Sequence, residues 1–245
     1  MKILLISDIH GNFPALKAIA DYFDVPFDLI LNGGDTTVYA PFPNQTINWL
    51  RQHDVPSILG NTDNHVITLL GGRTFRKPGK PEKRIMYGIT AADLSPINCQ
   101  WLSDLPQSRV IICGSDPLNT ESETTLGMFH GSPADPDEFL FADTPIERFR
   151  DLADQTEHSL ITIGHSHTPF HKLVNGVHFI NPGSVGRMFD GDPRASCAVV
   201  ELKNGKTIVR HYRIGYPIEE LTAELKRLRL PSIYREMYRR GRKLN

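Results

Sequence analysis

The chain alternates short apolar runs with amphipathic stretches. Residues 2–6 (KILLI) are a short apolar run, which predicts a buried strand. Asn12 is a plausible helix N-cap, because apolar residues recur at helical spacing over residues 15–23. Further apolar runs at residues 29–31 and 57–59 each end at glycine and polar residues. This alternation of strands and helices predicts a layered α/β fold.

The pattern changes along the rest of the chain. Residues 71–83 hold five glycines or prolines among several cations and predict an exposed loop or hairpin, and residues 92–105 are helical in pattern. A polar turn separates the strand-like runs 109–113 and 125–129. Further strands are predicted at 159–163, 171–174, 177–180, 198–202 and 207–212, and further helices at 145–154, 218–230 and 232–240.

Composition narrows the class of protein. The 245 residues are 40% hydrophobic and 22% charged, which suits one large or two small folded domains. The net charge of −1 excludes a uniformly basic nucleic-acid binder. Three widely spaced cysteines without a CxxC pair exclude a disulfide framework and a cysteine-built zinc site. No apolar stretch approaches a membrane span or a signal peptide, so we expect a cytoplasmic protein without membrane contact.

Charge is distributed unevenly along the chain. Residues 226–245 contain eight basic residues and one acid, a net charge of +7, which leaves −8 for residues 1–225. This basic end predicts either a solvated helix face or a contact with an anionic partner.

Metal-capable polar side chains follow five of the apolar runs. Because ligands bind beyond the carboxyl ends of strands in α/β sheets, we expect these side chains to converge in one crevice. They are Asp8 and His10, Asp35, Asn61 and Asp63, His130, and His165 and His167.

The nitrogen and oxygen donors restrict the metal. Several imidazoles with carboxylates suit Mn, Fe, Zn, Co or Ni better than Mg or Ca, which prefer oxygen ligands. The set is too large for one ion that also holds substrate. Two ions sharing a carboxylate fit better, and Asp35, alone after Gly33 and Gly34, is the natural bridge. Two ions roughly 3.5–4 Å apart can clamp the attacking and leaving oxygens of a phosphoryl displacement.

These motifs resemble those of the calcineurin-like metallophosphoesterase superfamily, and most of all its small bacterial and archaeal branch related to YfcE-type phosphodiesterases and diadenosine tetraphosphatases. The resemblance covers residues 3–186. The matching segments are Asp8–Asn12, Gly33–Asp35, Gly60–Asp63, His130–Gly131, Gly164–Pro169 and Asn181–Gly186.

The resemblance implies a two-sheet αββα sandwich over residues 1–216, with a helical C-terminal extension over residues 217–245 packed on or beside it. It implies one metal ion held by Asp8, His10 and His167, a second held by Asn61, His130 and His165, and Asp35 bridging them. A hydroxide bridging the two ions would attack phosphorus in line.

Two positions depart from the family pattern. Many relatives have histidine after the asparagine of the third motif, where it assists the leaving group or binds phosphate, and this chain has Thr62. His65 is a candidate substitute, alongside the interpretation of a surface histidine at a helix start, and Asp63 is a further catalytic candidate. Past Gly186, where Pro-Arg is expected, the chain has Met188-Phe189.

Two arginines lie near this second departure. Arg187 and Arg194 either reach a substrate phosphate or brace the loop.

The function expected is hydrolysis of a small phosphodiester or phosphomonoester. Alternatives are a protein serine/threonine phosphatase, a dinucleoside polyphosphate hydrolase, a nuclease and a non-enzymatic scaffold on the same fold. The near-neutral charge, without aromatic residues interleaved among basic ones, disfavours a nucleic-acid partner. The oligomeric state is open.

Overall fold

The computed structural model describes residues 1–114 and 124–245, which form two β-sheets with helices on their outer faces. The strands are β1 (Lys2–Ile6), β2 (Leu29–Asn32), β3 (Ser108–Ile112), β4 (Thr125–Phe129), β5 (Leu160–Thr162), β6 (Phe170–Val174), β7 (Val177–Asn181), β8 (Ala195–Lys203) and β9 (Lys206–Ile214). The helices are α1 (Phe13–Tyr22), α2 (Pro43–Gln52), α3 (Asn61–Leu70), α4 (Pro81–Asp93), α5 (Pro96–Ser103), α6 (Ile146–Asp154), α7 (Ile218–Arg227) and α8 (Ser232–Arg240).

Parallel strands lie side by side in both sheets. The first sheet has the order β2-β1-β8-β9, with β1 parallel to β2 and antiparallel to β8. The second has the order β3-β4-β5-β7-β6, with β5 parallel to both β4 and β7. The carboxyl ends of neighbouring parallel strands meet at one edge, so side chains that follow β1 and β2, or β4 and β5, are brought together.

The sheets pack face to face and each carries helices outside. Leu5 and Leu31 of the first sheet share a buried cluster with Leu126 and Ile180 of the second. Outside the first sheet α1 buries an apolar face that includes Leu16, because its apolar residues recur at helical spacing. α6 packs on the second sheet. The predicted αββα sandwich is confirmed.

The C-terminal helices share a core with the loop that follows β2. Leu221 of α7 and Tyr234 of α8 lie in one buried cluster with Tyr39 of that loop and Tyr87 of α4. The division of the chain at residue 216 stays a prediction. The packing places the last helices beside the segments that line the predicted site.

Local predictions failed where proline and lysine obscured a helix. α4 begins inside the predicted loop 71–83, because Met86 and Tyr87 bury one face of the helix. The predicted helix over 92–105 is broken before Pro96, since a residue that precedes proline is driven from the helical region, and Ser95 has extended backbone.

The remaining local predictions concern strands and membrane contact. The run 57–59 contributes a single parallel bridge from Ser57 to Asn32 and no strand. The predicted turn between β3 and β4 falls largely outside the described residues. Within the described ranges, no helix is long and apolar enough to cross a membrane.

Candidate metal centre

The structure brings all seven predicted metal ligands to one edge of the sandwich, where six of them follow the ends of strands and Asn61 begins a helix. They are Asp8 and His10 after β1, Asp35 after β2, Asn61 as the first residue of α3, His130 after β4, and His165 and His167 after β5. Within this set, every carboxylate and imidazole is buried. Buried ionisable groups are costly unless they are paired or bind metal, so their convergence is itself a functional signal.

Five of the ligands sit in strained backbone. Asp8, His10, Asp35, His165 and His167 have φ values from 50° to 64°, in the left-handed region that residues other than glycine rarely adopt. Such strain persists only where the surrounding structure enforces it, and it clusters at functional sites. The sharp turn at the end of each strand points these side chains inward.

The first group consists of Asp8, His10, Asp35 and His167, whose ligand atoms lie within 4.8 Å of one another. The Nε2 atoms of His10 and His167 are 3.2 Å apart. Asp8 Oδ1 is fully buried, accepts no hydrogen bond and lies 3.3 Å from His167 Nε2. A buried carboxylate oxygen without a donor, facing imidazole nitrogens, fits a bound cation.

The second group consists of Asp35, His130 and His165, again with ligand atoms within 4.8 Å of one another. Asn61 joins it, since its Oδ1 lies 3.2 Å from His130 Nε2. Asp35 faces both groups, with Oδ2 3.6 Å from His10 Nε2 and Oδ1 3.5 Å from His130 Nε2. Gly60 permits this approach, because a Cβ there would lie 2.1 Å from Asp35 Oδ1.

Backbone carbonyl groups orient three of the imidazoles. Nδ1 of His10 donates to the Thr37 carbonyl, Nδ1 of His130 to the Gly33 carbonyl, and Nδ1 of His167 to the Arg187 carbonyl. A carbonyl oxygen only accepts, so each Nδ1 carries the proton and Nε2 is left to bind metal. This is the outer contact that metal-ligating histidines usually make.

Burial and the two carboxylates set the protonation of the imidazoles. Burial lowers the pKa of His10 to about 3 and that of His165 to about 4, which keeps both rings neutral. Burial also opposes charge on His130, but the negative charges of Asp35 and Asp8 outweigh it and raise its pKa to about 10. A divalent ion would compete with that proton for Nε2.

The carboxylates of Asp8 and Asp35 remain ionised. Burial disfavours their charged forms, but the neighbouring His167 holds the pKa of Asp8 below its usual value, and His130 does so for Asp35. The donor set therefore fits divalent transition metals.

Asp63 lies behind the centre. Its Oδ2 accepts from the backbone N–H groups of Thr36 and Gly60, and its Oδ1 accepts from the backbone N–H and the hydroxyl of Thr37. Burial and the charge of Asp35 raise the pKa of Asp63 to about 6, against these hydrogen bonds, which lower it. The contacts tie the Asp35 loop to the start of α3, as expected of a positioning residue, and a catalytic role for Asp63 stays a prediction.

His65 is held by backbone carbonyl groups. Its Nδ1 lies 2.5 Å from the Asn61 carbonyl oxygen and its Nε2 2.7 Å from that of Lys77. Both ring nitrogens therefore face backbone carbonyl oxygens, and the side chain braces the loop before α4. The role of proton donor also stays a prediction. Thr62 does line the site, and its backbone N–H donates to Asp35 Oδ1 at 2.8 Å.

The ligands open into a cleft of about 190 Å³. Sequence patterns gave no signal for much of its wall, because the residues come from segments far apart in the chain. The wall residues to which the sequence patterns assigned no individual role are Tyr39, Pro78, Lys83, Tyr87, Phe139, Phe189 and Lys243. Of the two arginines left open, Arg187 lines the cleft, whereas Arg194 pairs with Asp192 at 2.6 Å on the surface.

The chain is similar to known proteins over most of its length. The model of the calcineurin-like phosphoesterase superfamily domain matches residues 1–205. An uncharacterized protein of Methanocaldococcus jannaschii is 29% identical over 247 residues, covering 94% of this chain and 93% of that protein.

Two solved structures align with nearly the whole chain. A metallophosphoesterase from Sphaerobacter thermophilus has a TM-score of 0.79 and 27% identity, covering 98% of this chain and 99% of that one. A hypothetical protein from Pyrococcus horikoshii OT3 has a TM-score of 0.83 and 19% identity, covering 99% of each chain. The second likeness bears on the fold alone.

Proposed function

The chain belongs to the calcineurin-like phosphoesterase superfamily, and on that premise we propose that it hydrolyses a small phosphodiester or phosphomonoester with two transition-metal ions. The ions are divalent or of mixed valence, drawn from Mn, Fe, Zn, Ni and Co, because imidazole and carboxylate donors suit these metals. The S. thermophilus structure, described as a metallophosphoesterase, supports the reaction class.

The position of Asp35 is the observation that supports two ions most directly. One carboxylate oxygen faces the group with Asp8, His10 and His167, and the other faces the group with His130 and His165. A bridging ligand must belong to two ligand sets at once, and the buried carboxylate of Asp35 does so.

The chemistry follows from this arrangement. When bound, two such ions lower the pKa of water toward ~7 and offset negative charge on a phosphoryl group during in-line displacement. Asp35 and the buried imidazoles hold the reacting groups in one crevice, and Asn61 offers an amide oxygen at its edge. Thr62 orients Asp35 through its backbone N–H.

The cleft and the surface charges favour a compact substrate. A cleft of about 190 Å³ is smaller than the roughly 300–1,000 Å³ typical of ligand pockets. Several arginines of the basic end are engaged by nearby acids: Arg227 by Glu224, Arg239 by Glu219 and Arg240 by Glu236. This pairing leaves less free charge for a nucleic-acid backbone, which disfavours the nuclease.

The test is hydrolysis of bis-p-nitrophenyl phosphate and p-nitrophenyl phosphate by the full chain, supplied in turn with Mn, Ni, Co, Zn and Fe. Asp35→Asn should lower kcat by at least roughly a thousandfold, since it removes a charge shared by both ions. Asp151→Asn, on the exposed surface of α6, makes the same chemical change away from the site and is the matched control.

Other outcomes identify the alternatives. Turnover of a phosphopeptide in preference to both esters would indicate a protein serine/threonine phosphatase, and preference for dinucleoside polyphosphates would indicate a nucleotide hydrolase. Absence of turnover with every metal would favour the scaffold and refute the proposal.

A further inference from the structure

Three cations from separate parts of the chain meet in the cleft beside the metal ligands. Lys83 comes from α4, Arg187 from the segment after β7, and Lys243 from the residues after α8. All three line the same cleft as His10 and His167. Among the described residues, none of the three forms an ion pair with a carboxylate.

Arg187 is buried without a charged partner. Its guanidinium lies 3.7 Å from the Tyr39 ring centroid, and one NH2 group donates to Asn245 Oδ1 at 3.3 Å. Its Nε is buried and has no hydrogen-bond partner. Arg187 also lines the cleft, and a guanidinium held by aromatic rings and one amide oxygen, without a carboxylate partner, is prepared for an anion.

Aromatic rings separate these cations from the first ligand group. Phe189 stacks on His167 with ring centroids 4.1 Å apart, and Lys243 Nζ lies 5.5 Å and Arg187 Cζ 5.0 Å from the Phe189 centroid. Tyr39 intervenes in the same way between Arg187 and His10. The cations therefore lie one ring away from His10 and His167 and are not placed to hold a phosphoryl group bound at the first ligand group.

The cations repel one another. Partial burial and the charges of Arg187, Lys243 and Lys80 lower the pKa of Lys83 to about 8. Glu82, the nearby acid, opposes this, and its carboxylate accepts a hydrogen bond from Asn245. Burial and Arg187 likewise lower the pKa of Lys243. An anion placed among these groups would relieve the repulsion.

We propose that Lys83, Arg187 and Lys243 form a second anion subsite, which binds a phosphate group of the substrate other than the one hydrolysed. The subsite rests on the proposed function for its role in catalysis, and it selects phosphoesters that carry a second phosphate. Because the subsite lies on the side of His10 and His167, the second phosphate group of the substrate lies on that side of the ligand groups.

The first test counts inorganic phosphate bound to the Mn-loaded full chain by isothermal titration calorimetry. We expect two sites in the wild type, one at the metal ions and one at the subsite, and a single site in Lys83→Gln/Lys243→Gln. Lys226→Gln, the same change within the basic end but away from the cleft, should keep two. One site in the wild type, or two in the double variant, would overturn the subsite.

The second test compares kcat/KM for fructose 1,6-bisphosphate with that for fructose 6-phosphate. Lys243→Gln, an exposed position that does not threaten folding, should lower this ratio roughly tenfold, as expected for a lost charge-assisted hydrogen bond, and Lys226→Gln should not. An unchanged ratio in Lys243→Gln counts against the subsite. If the wild type hydrolyses neither sugar phosphate, the phosphate count decides the subsite by itself, and turnover of the p-nitrophenyl esters decides the proposed function.

Discussion

Replacing Asp63 separates a positioning role from a catalytic one. The carboxylate accepts three backbone N–H groups and one hydroxyl, all from the Asp35 loop and the start of α3. In Asp63→Asn the amide nitrogen fits best at the Oδ1 position, where the Thr37 hydroxyl can turn to accept from it. The backbone N–H of Thr37 then loses its acceptor, whereas those of Thr36 and Gly60 keep theirs.

The number of backbone N–H groups left without an acceptor determines the expected loss in the free energy of unfolding. One buried donor left without an acceptor costs about 1–3 kcal/mol, so Asp63→Asn should lower the free energy of unfolding by about that amount. Asp63→Ala leaves all three backbone donors unpaired and should cost more, on the order of 3–5 kcal/mol. Because the same loop carries Asp35, metal affinity should fall about 10–100-fold, as for other groups that support metal ligands.

Urea unfolding and metal titration of the wild type, both variants and the exposed control Asp151→Asn measure these effects. A positioning role requires stability and metal affinity to fall in the order wild type, Asn, Ala. If both variants unfold at the wild-type urea concentration and bind metal normally, yet lose turnover, the reasoning is wrong and Asp63 acts in the chemistry.

Two further predictions concern the loop before α4 and the metal ions. His65→Ala should slow hydrolysis of esters with good and poor leaving groups by the same factor, because both ring nitrogens contact backbone carbonyls. The two rates are compared by steady-state kinetics. A loss of rate confined to the ester with the poor leaving group would instead support proton donation by His65. Removing metal with a chelator should lower the melting temperature by several degrees in a thermal scan, since a ligand that binds only the folded state stabilises it. Mn²⁺ should restore that temperature and Mg²⁺ should do so less well, because imidazole-rich sites disfavour Mg²⁺; equal recovery would contradict the donor-set argument.

Local patterns in the sequence by themselves predicted a layered α/β fold and the candidate ligands, and the resemblance to the phosphoesterase superfamily added the two-sheet sandwich. Each ligand follows an apolar run within a few residues, and the turn that aims it is part of the same segment, as the strained φ values at Asp8 and Asp35 show. Parallel pairing of β1 with β2 and of β4 with β5 then brings the ends together. Local patterning plus the topology of an α/β sheet is enough to place such residues in one crevice.

Only the tertiary structure decided the rest of the cleft. The sequence pattern did not predict the start of α4, because that segment is rich in proline and lysine. The helix forms there because Met86 and Tyr87 are buried against other helices. Lys243 belongs in sequence to a basic run typical of solvated helix faces, and it lines the cleft only because α8 packs beside the loop after β2. Contacts between residues far apart in the chain depend on the packing of whole elements, and no local pattern records them.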